Sequence, residues 1–501
     1  FEEGSRVTAI GSGAFKMTEN YKNEYKDKDI TLPASLKSVG NEAFAGLGES
    51  VTVVISDSEN VLTFGNNVFS GCEIASLELP ANADVSTNFF AGMTVSSLTV
   101  SDANPHLVTI DSVLYTKKTD GTPDILLFYP KLYNDEFVVP DGVTAIADGA
   151  FRGEGWIETL TLPASLTSVG REAFRGMECL ATVTFNGTMG KLTIGAYAFY
   201  EAENLETVEF KDGLDVVIGE YAFAGTNDLT NLSLGGTTVI GAHAFENAAC
   251  YSSVVLTIPE TLVSIGDYAF SGACLEQVVF PETSALRTIG GYAFSNVGLY
   301  GTLTIPASVT EIYAYAFGGN DFSKVEFRDG NDALAIGLPI TVKGFAGPED
   351  VYGYVFYDNT SLTSIAFPAR LTKIYADTFR DLRNLETVTF GSDENPSKLT
   401  TIGEYAFSRT GLTSVTIPAS VKNTDTEIAI GANAFEFAEL ASLTFEPGGS
   451  ATTAPLTIGA NAFSGLSATE VVLPARLAYF TDVNGNVTAP FANGRDTFSA
   501  S

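Results

Sequence analysis

In the stretch Leu-Thr-Ile-Pro-Glu-Thr-Leu-Val-Ser-Ile-Gly-Asp-Tyr-Ala-Phe (256–270), apolar and polar positions alternate, stop at a proline, resume beyond it and close on Ala-Phe. Alternation with period two predicts a half-buried strand. Proline has no N–H for a sheet ladder, so it belongs where the strand ends and the chain turns a corner. Beyond it, Leu262 and Ile265 point back inward from a second wall, and the ring of Phe270 is left to fill the space between the walls. The same skeleton stands at 160–174, at 303–317 and, with an insertion, at 415–435.

The phenylalanine that closes each unit falls at positions 15, 44, 69, 90, 151, 174, 199, 223, 245, 270, 294, 317, 356, 379, 407, 435 and 463, with most steps between 21 and 29 residues. Phe491 is expected to close a degenerate last unit. This period lies in the leucine-rich-repeat window, below that of ankyrin, armadillo or propeller units. The predicted fold is therefore a single β-rich leucine-rich-repeat solenoid over 1–501, with about seventeen to eighteen stacked units. Such an array grows by stacking and has no single core to outgrow, so its length does not call for several domains.

Two places break the period. Between Phe90 and Phe151, an interrupted unit at 101–143 sets Ser-Val-Leu-Tyr (112–115) and Ile-Leu-Leu-Phe-Tyr-Pro (125–130) around a polar Gly/Pro turn, which predicts a β-hairpin insertion. Between Phe317 and Phe356, the stretch 328–350 reads as an enlarged loop.

Stacking the units predicts two surface ladders. The outward strand position reads Thr161, Thr184, Glu209, Ser233, Thr257, Val279, Thr304, Glu326, Ala366, Thr389, Thr416, Thr444 and Val472. Threonine neighbours there favour the sheet itself, and no Trp, Tyr or Arg of the hot-spot kind stands in the row. Two residues before each phenylalanine, Tyr197, Tyr221, His243, Tyr268, Tyr292, Tyr315, Tyr354 and Tyr405 form a second row, read as structural stacking. Glycine precedes the ring by four residues in most units. Ala147, Tyr313 and Tyr375 occupy the same slot, so tight packing rather than a positive φ is the expected reason.

The repeated Ile-Pro-x-x-Val/Leu-x-x-Ile-Gly-x-x-Ala-Phe resembles the BspA-like leucine-rich-repeat family over essentially the whole chain. Leu-Thr-Ser-Val-Thr-Ile-Pro-Ala-Ser-Val (412–421) and Ile-Gly-Glu-Tyr-Ala-Phe (402–407) are near-consensus. The interrupted unit also matches a recurring one through Ser-Val-Leu-Tyr, Phe-Tyr-Pro (128–130) and Val-Pro-Asp-Gly-Val (139–143), although Ser112 stands where glycine is commoner. The resemblance implies a secreted or cell-surface protein, mostly bacterial, whose best-known relatives are adhesins for host matrix proteins and promote cell–cell aggregation. It implies no catalytic residues.

Net charge narrows the partners. At −33 and a pI near 4.3, the chain is not expected to bind nucleic acid or an anionic membrane surface. No apolar run approaches the ~20 residues of a membrane span. Residues 1–15 read as the second half of a unit, so the chain is expected to be a piece of a longer one, with targeting and anchoring segments elsewhere. Four cysteines are too few for a disulfide framework. Cys179 and Cys274 share a register four units apart, roughly 19 Å at the ~4.8 Å strand spacing, beyond reach of a bridge. Cys250 and Cys274 fall in adjacent units but out of register, so a bridge between them is open to the chain but not favoured, and four free thiols are expected.

No catalytic constellation emerges. His243 belongs to the tyrosine row, and His106 has no ligand at metal spacing. Asp482-Val-Asn484-Gly-Asn486 opens like a calcium loop but lacks glycine at its sixth place and has Asn493 where the bidentate glutamate belongs, so neither a metal nor a cofactor is assigned. The expected function is non-enzymatic binding of a protein or glycan on a host or neighbouring cell surface, from a secreted or surface-anchored position. The alternative is a passive spacer that displays other domains. The expected partner-binding residues are the hairpin aromatics Tyr115 and Tyr129 and the single tryptophan, Trp156.

Overall fold

The computed structural model describes residues 5–17, 29–48, 50–57, 61–85, 87–152, 154–251, 254–344, 347–448, 454–468, 471–481 and 487–488. Phe1, the calcium-like stretch from Asp482 and Phe491 lie outside them. The chain forms two compact units, Phe1–Asn231 and Leu232–Ser501. The fold is a β-solenoid of about fifteen turns, slightly fewer than expected, and no α-helix stands among the described residues.

Each coil contributes one strand to each of two walls. In the first unit, Glu136–Val138, Thr159–Leu162, Thr182–Phe185 and Thr207–Glu209 run parallel in one wall. Ala145–Ile146, Ser168–Val169, Gly190–Ile194 and Leu214–Ile218 run parallel in the other. Alternation decides which side chains face inward: Leu160 and Leu162 are buried while Thr159 and Thr161 stay half-exposed. The outward row is in the expected register, with Thr161 opposite Thr184 and Thr184 opposite Glu209. In the second unit, Thr257 faces Val279, Thr304, Glu326, Ala366 and Thr389 follow one another, and Thr416 faces Thr444.

The third side of each coil has no strand. Overlapping turns carry it, and their amides are spent on the following coil: Tyr268 N–H donates to Gly291 O at 2.8 Å, Phe270 N–H to Ala293 O at 2.8 Å and Gly272 N–H to Ser295 O at 2.9 Å. The ring of Phe270 is fully buried, and the phenylalanines stack on one another. In the second unit the column Phe245, 270, 294, 317, 356, 379, 407, 435 and 463 is unbroken, with centroids 5.1 to 6.1 Å apart. Offset stacking adds to the burial of each ring.

The repeated glycine does not adopt a positive φ. A Cβ on Gly266 would lie 2.6 Å from Ala242 N and 2.7 Å from Gly241 C of the preceding coil, so close backbone approach excludes a side chain there. The left-handed residue lies two places further on, in the aromatic row: Tyr197, Tyr268, Tyr292 and Tyr315 have φ of 59, 57, 55 and 57°. Glu42, Asn67, Glu172, Asp377, Asn433 and Asn461 take the same slot with φ between 53 and 56°. A bulky residue in this region bears a backbone cost that asparagine and glycine largely avoid.

The interrupted unit is a three-stranded antiparallel meander of Leu107–Ile110, Val113–Lys117 and Pro123–Phe128. Its first turn places Asp111 and Ser112 at φ 49 and 66°, which accounts for the usual glycine at the position of Ser112. The last strand then joins the second wall, with Ile125 beside Ala145.

The stretch 328–350 differs from the enlarged loop expected of it. Leu334–Leu338 is a wall strand between Glu311–Tyr313 and Leu371–Ile374, and Ile340–Gly344 pairs with Gly347–Val351 as an antiparallel hairpin. Polar residues at 328–333 mask the short apolar alternation that follows them.

Two buried arginines were not anticipated. Arg370 and Arg476 replace the serine of the common Pro-Ala-Ser turn, and their guanidinium groups donate to backbone carbonyls of an earlier proline turn. Arg370 Nη2 lies 3.1 Å from Pro306 O and its Nη1 reaches Val309 O; Arg476 Nη2 lies 2.9 Å from Pro418 O and its Nη1 reaches Val421 O. In both cases the coil between lacks the proline directly after its strand, with Arg328 after Phe327 and Glu446 after Phe445.

Phe270→Ala is expected to destabilise the protein by ~3–5 kcal/mol through the cavity it leaves; an unchanged urea or thermal profile would contradict the buried-ring assignment. At the left-handed slot, Tyr292→Val is expected to cost ~1–2 kcal/mol more than Tyr292→Asn, because a β-branched residue tolerates φ near 55° worst. Equal unfolding midpoints for the two variants would refute that.

Candidate interaction site

Of the three residues expected to meet a partner, the structure exposes one. Tyr115 is 1% exposed, its strand residue paired with Val108 on one side and Leu126 on the other. Burial pushes its phenol far above the ordinary value, with Asp111 adding to the shift. Tyr129 is 4% exposed and takes the ring slot of the interrupted coil. Its ring stacks on Phe151 at 4.7 Å, and its N–H donates to Ala150 O at 2.9 Å, as each closing phenylalanine does to the coil that follows. Both tyrosines are thus core residues. The β-hairpin insertion expected here is a meander whose last strand joins the wall, and this coil needs its own closing ring.

Trp156 is 47% exposed and has a partner that the sequence reading missed. The chain leaving Tyr129 passes through Lys131, whose N–H donates to Val95 O at 2.8 Å, and brings Tyr133 beside the corner of the following coil. There the rings of Tyr133, itself 58% exposed, and Trp156 lie 5.0 Å apart at 59°. Lys131 Nζ sits 5.4 Å from the Tyr133 centroid. Below the pair, the buried Glu154 accepts the Trp156 N–H at Oε1, 3.1 Å away. Burial raises the Glu154 carboxyl above the ordinary glutamate value, opposed by the Trp156 amide, Lys131 and the Gly155 amide. Asn134 Nδ2 donates to the Tyr129 hydroxyl at 3.3 Å and closes the floor of the site. The result is an exposed aromatic pair on a polar base, with an apolar face for stacking and charged groups at its margin.

Tyr133 could have been found from the sequence by taking Tyr129, rather than Phe151, as the ring that closes the interrupted coil. Four residues beyond Tyr129 then falls beside five residues beyond Phe151.

The tyrosine row offers less. In the second unit, His243, Tyr268, Tyr292, Tyr315 and Tyr354 stack with centroids 4.6 to 5.2 Å apart and planes within 20° of parallel. Ring faces are therefore occupied by neighbouring rings, which agrees with the structural reading. Burial, then Tyr268, pushes the Tyr292 phenol up to about 12. Among the described residues no three His, Cys, Asp or Glu side chains converge as a metal site, and no helix is long and apolar enough to cross a membrane.

Two strand walls, a helix-free turn side and a stacked phenylalanine column per coil define a leucine-rich-repeat β-solenoid. The chain belongs to the family described as the BspA type leucine rich repeat region, six copies, which matches residues 8–117, 127–251, 238–334 and 349–483. It is similar to the crystal structure of a leucine-rich repeat protein from Bacteroides ovatus, at 22% identity over 74% of this chain and 86% of that one, with a TM-score of 0.46. A leucine-rich repeat protein from Eubacterium ventriosum is 21% identical over 68% and 85%, TM-score 0.43. A leucine rich cell surface protein from Faecalibacterium prausnitzii is 20% identical over 74% and 95%, TM-score 0.37. Identities this low concern the fold alone. No curated protein matches significantly.

Trp156 is the only tryptophan, so its fluorescence reports directly on Glu154. A carboxyl raised in the folded state binds its proton more tightly there than when unfolded, so its contribution to stability declines as pH rises from the ordinary glutamate value through the raised one. Trp156 emission is expected to titrate with a midpoint above that of an ordinary glutamate, and Glu154→Gln to remove the transition. A transition retained in that variant would assign it to another group.

Proposed function

We propose that this protein is a non-enzymatic cell-surface binding protein, an adhesin that engages protein or glycan on a host or neighbouring cell, and that the Tyr133–Trp156 edge is its contact. The observation that carries the reading is this exposed aromatic pair, in a solenoid whose phenylalanine and tyrosine columns are otherwise packed on themselves. Large rigid aromatics provide contact area at little conformational cost, the property that enriches them among interface hot spots. Membership of the BspA-type repeat family supports a secreted or surface-anchored position, and the charge of −33 disfavours nucleic acid and anionic lipid as partners. The threonine row is assigned to sheet stability.

Saturable binding to immobilised matrix proteins, mucin or glycans, measured at low and high salt, is the test. Trp156→Ala with Tyr133→Ala is expected to weaken it by about tenfold or more, and Thr257→Arg, Thr304→Arg and Thr416→Arg to leave it unchanged. Loss of binding in the arginine variant would move the contact to the strand face. No saturable binding to any surface would favour the spacer reading instead.

A further inference from the structure

Cys250 and Cys274, out of register by sequence, meet in the second unit. Cys274 is laced to the preceding coil on both sides of Cys250: its N–H donates to Ala248 O at 3.1 Å, and its carbonyl accepts the Val254 N–H at 3.3 Å. Its Sγ lies 3.9 Å from the Cys250 carbonyl oxygen, which sets the two residues side by side on adjacent coils. Cys250 Sγ also donates to Asn247 O at 2.9 Å. The corner turns through Asn247 at φ 54°, a slot that is left-handed in the next two coils as well, at Gly272 and Asn296, and through one further left-handed residue, Ala249 at φ 58°, directly before Cys250. All four cysteines are free thiols; Cys72 is buried and Cys179 is exposed in the other unit.

We propose that Cys250 and Cys274 are a dithiol pair that closes, under an oxidising disulfide, to a bridge between adjacent coils. Cys250 is the exposed member and Cys274 the partly covered one, which fixes the order of events. The Cys250 thiol loses its proton, and the thiolate attacks glutathione disulfide, forming a mixed disulfide and releasing one glutathione thiolate. Cys274 then loses its proton, attacks the Cys250 sulfur and releases the second glutathione. Two protein thiols give up two protons and two electrons, and glutathione disulfide takes both to become two thiols. The bridge ties the corner that carries the exposed Tyr251 to the coil that follows. Burial, and then the neighbouring Cys274, raises the Cys250 thiol above its ordinary value, so closure is slow at neutral pH and accelerates as pH rises through the thiol range. The proposal is independent of what the protein binds.

The experiment incubates the full chain with graded ratios of oxidised to reduced glutathione, blocks remaining thiols by alkylation and maps the peptides by mass. The expected product links the Cys250 and Cys274 peptides, two hydrogens lighter than the reduced pair and free of glutathione, while Cys179, which has no partner, carries a glutathione adduct. Cys274→Ser should trap glutathione on Cys250. The bridged wild type should melt above its reduced form, a difference that Cys250→Ser abolishes. Glutathione held stably on Cys250 of the wild type overturns the proposal. So does a pair that stays open to alkylation at every ratio while Cys179 is modified.

Discussion

At most corners the closing phenylalanine donates its amide to a carbonyl of the coil that follows, usually that of the alanine before the next ring, and stacks its ring on that ring. In the second unit Phe270 does both with Ala293 and Phe294, at 2.8 and 5.3 Å. Backbone and side chain thus register the coils at the same point. A side without strands satisfies its amides by turning through left-handed positions two residues before the ring, and where glycine stands four residues before the ring, as at Gly266, the preceding coil lies too close for a Cβ. This turn side sets the spacing at which wall strands of successive coils meet, although one wall is divided into several shorter sheets.

That constraint shapes the surface. The tyrosine row is exposed at its edges, but its faces are spent on stacking, and the threonine row is spent on the sheet. Aromatic faces become available where the period is interrupted. In the 101–143 unit, Tyr129 is drawn inward to keep the column intact, and the short link beyond it sets Tyr133 against Trp156 over the buried Glu154. An interruption that must still supply the core ring therefore also produces the irregular surface that a partner can recognise. The same logic governs Cys250, which follows the one extra left-handed residue of its corner, Ala249.

Much of this was legible in the residues. Alternation placed the strands, proline placed the first corner, and the order of the outward row, Thr161 against Thr184 and Thr304 against Glu326, followed from counting units. Glycine 266 was rightly read as a packing position. Periodicity does not report φ, however, and the left-handed conformation of Tyr268 or Tyr292 left no mark in residue type. The hairpin at 340–351 was hidden behind a polar stretch. Arg370 and Arg476 drew no expectation, since a carbonyl cradle assembled from a distant coil has no local signature.

Repetition in the sequence was enough to determine the class of fold, the two walls and the buried ring, because most contacts join neighbouring units and recur from coil to coil. Whether Tyr115 and Tyr129 face a partner or the core was decided by the tertiary structure, as were the pairing of Tyr133 with Trp156 and the meeting of Cys250 with Cys274. Each of these depends on how an irregular segment rejoins the stack, and the coils on either side of it set that path.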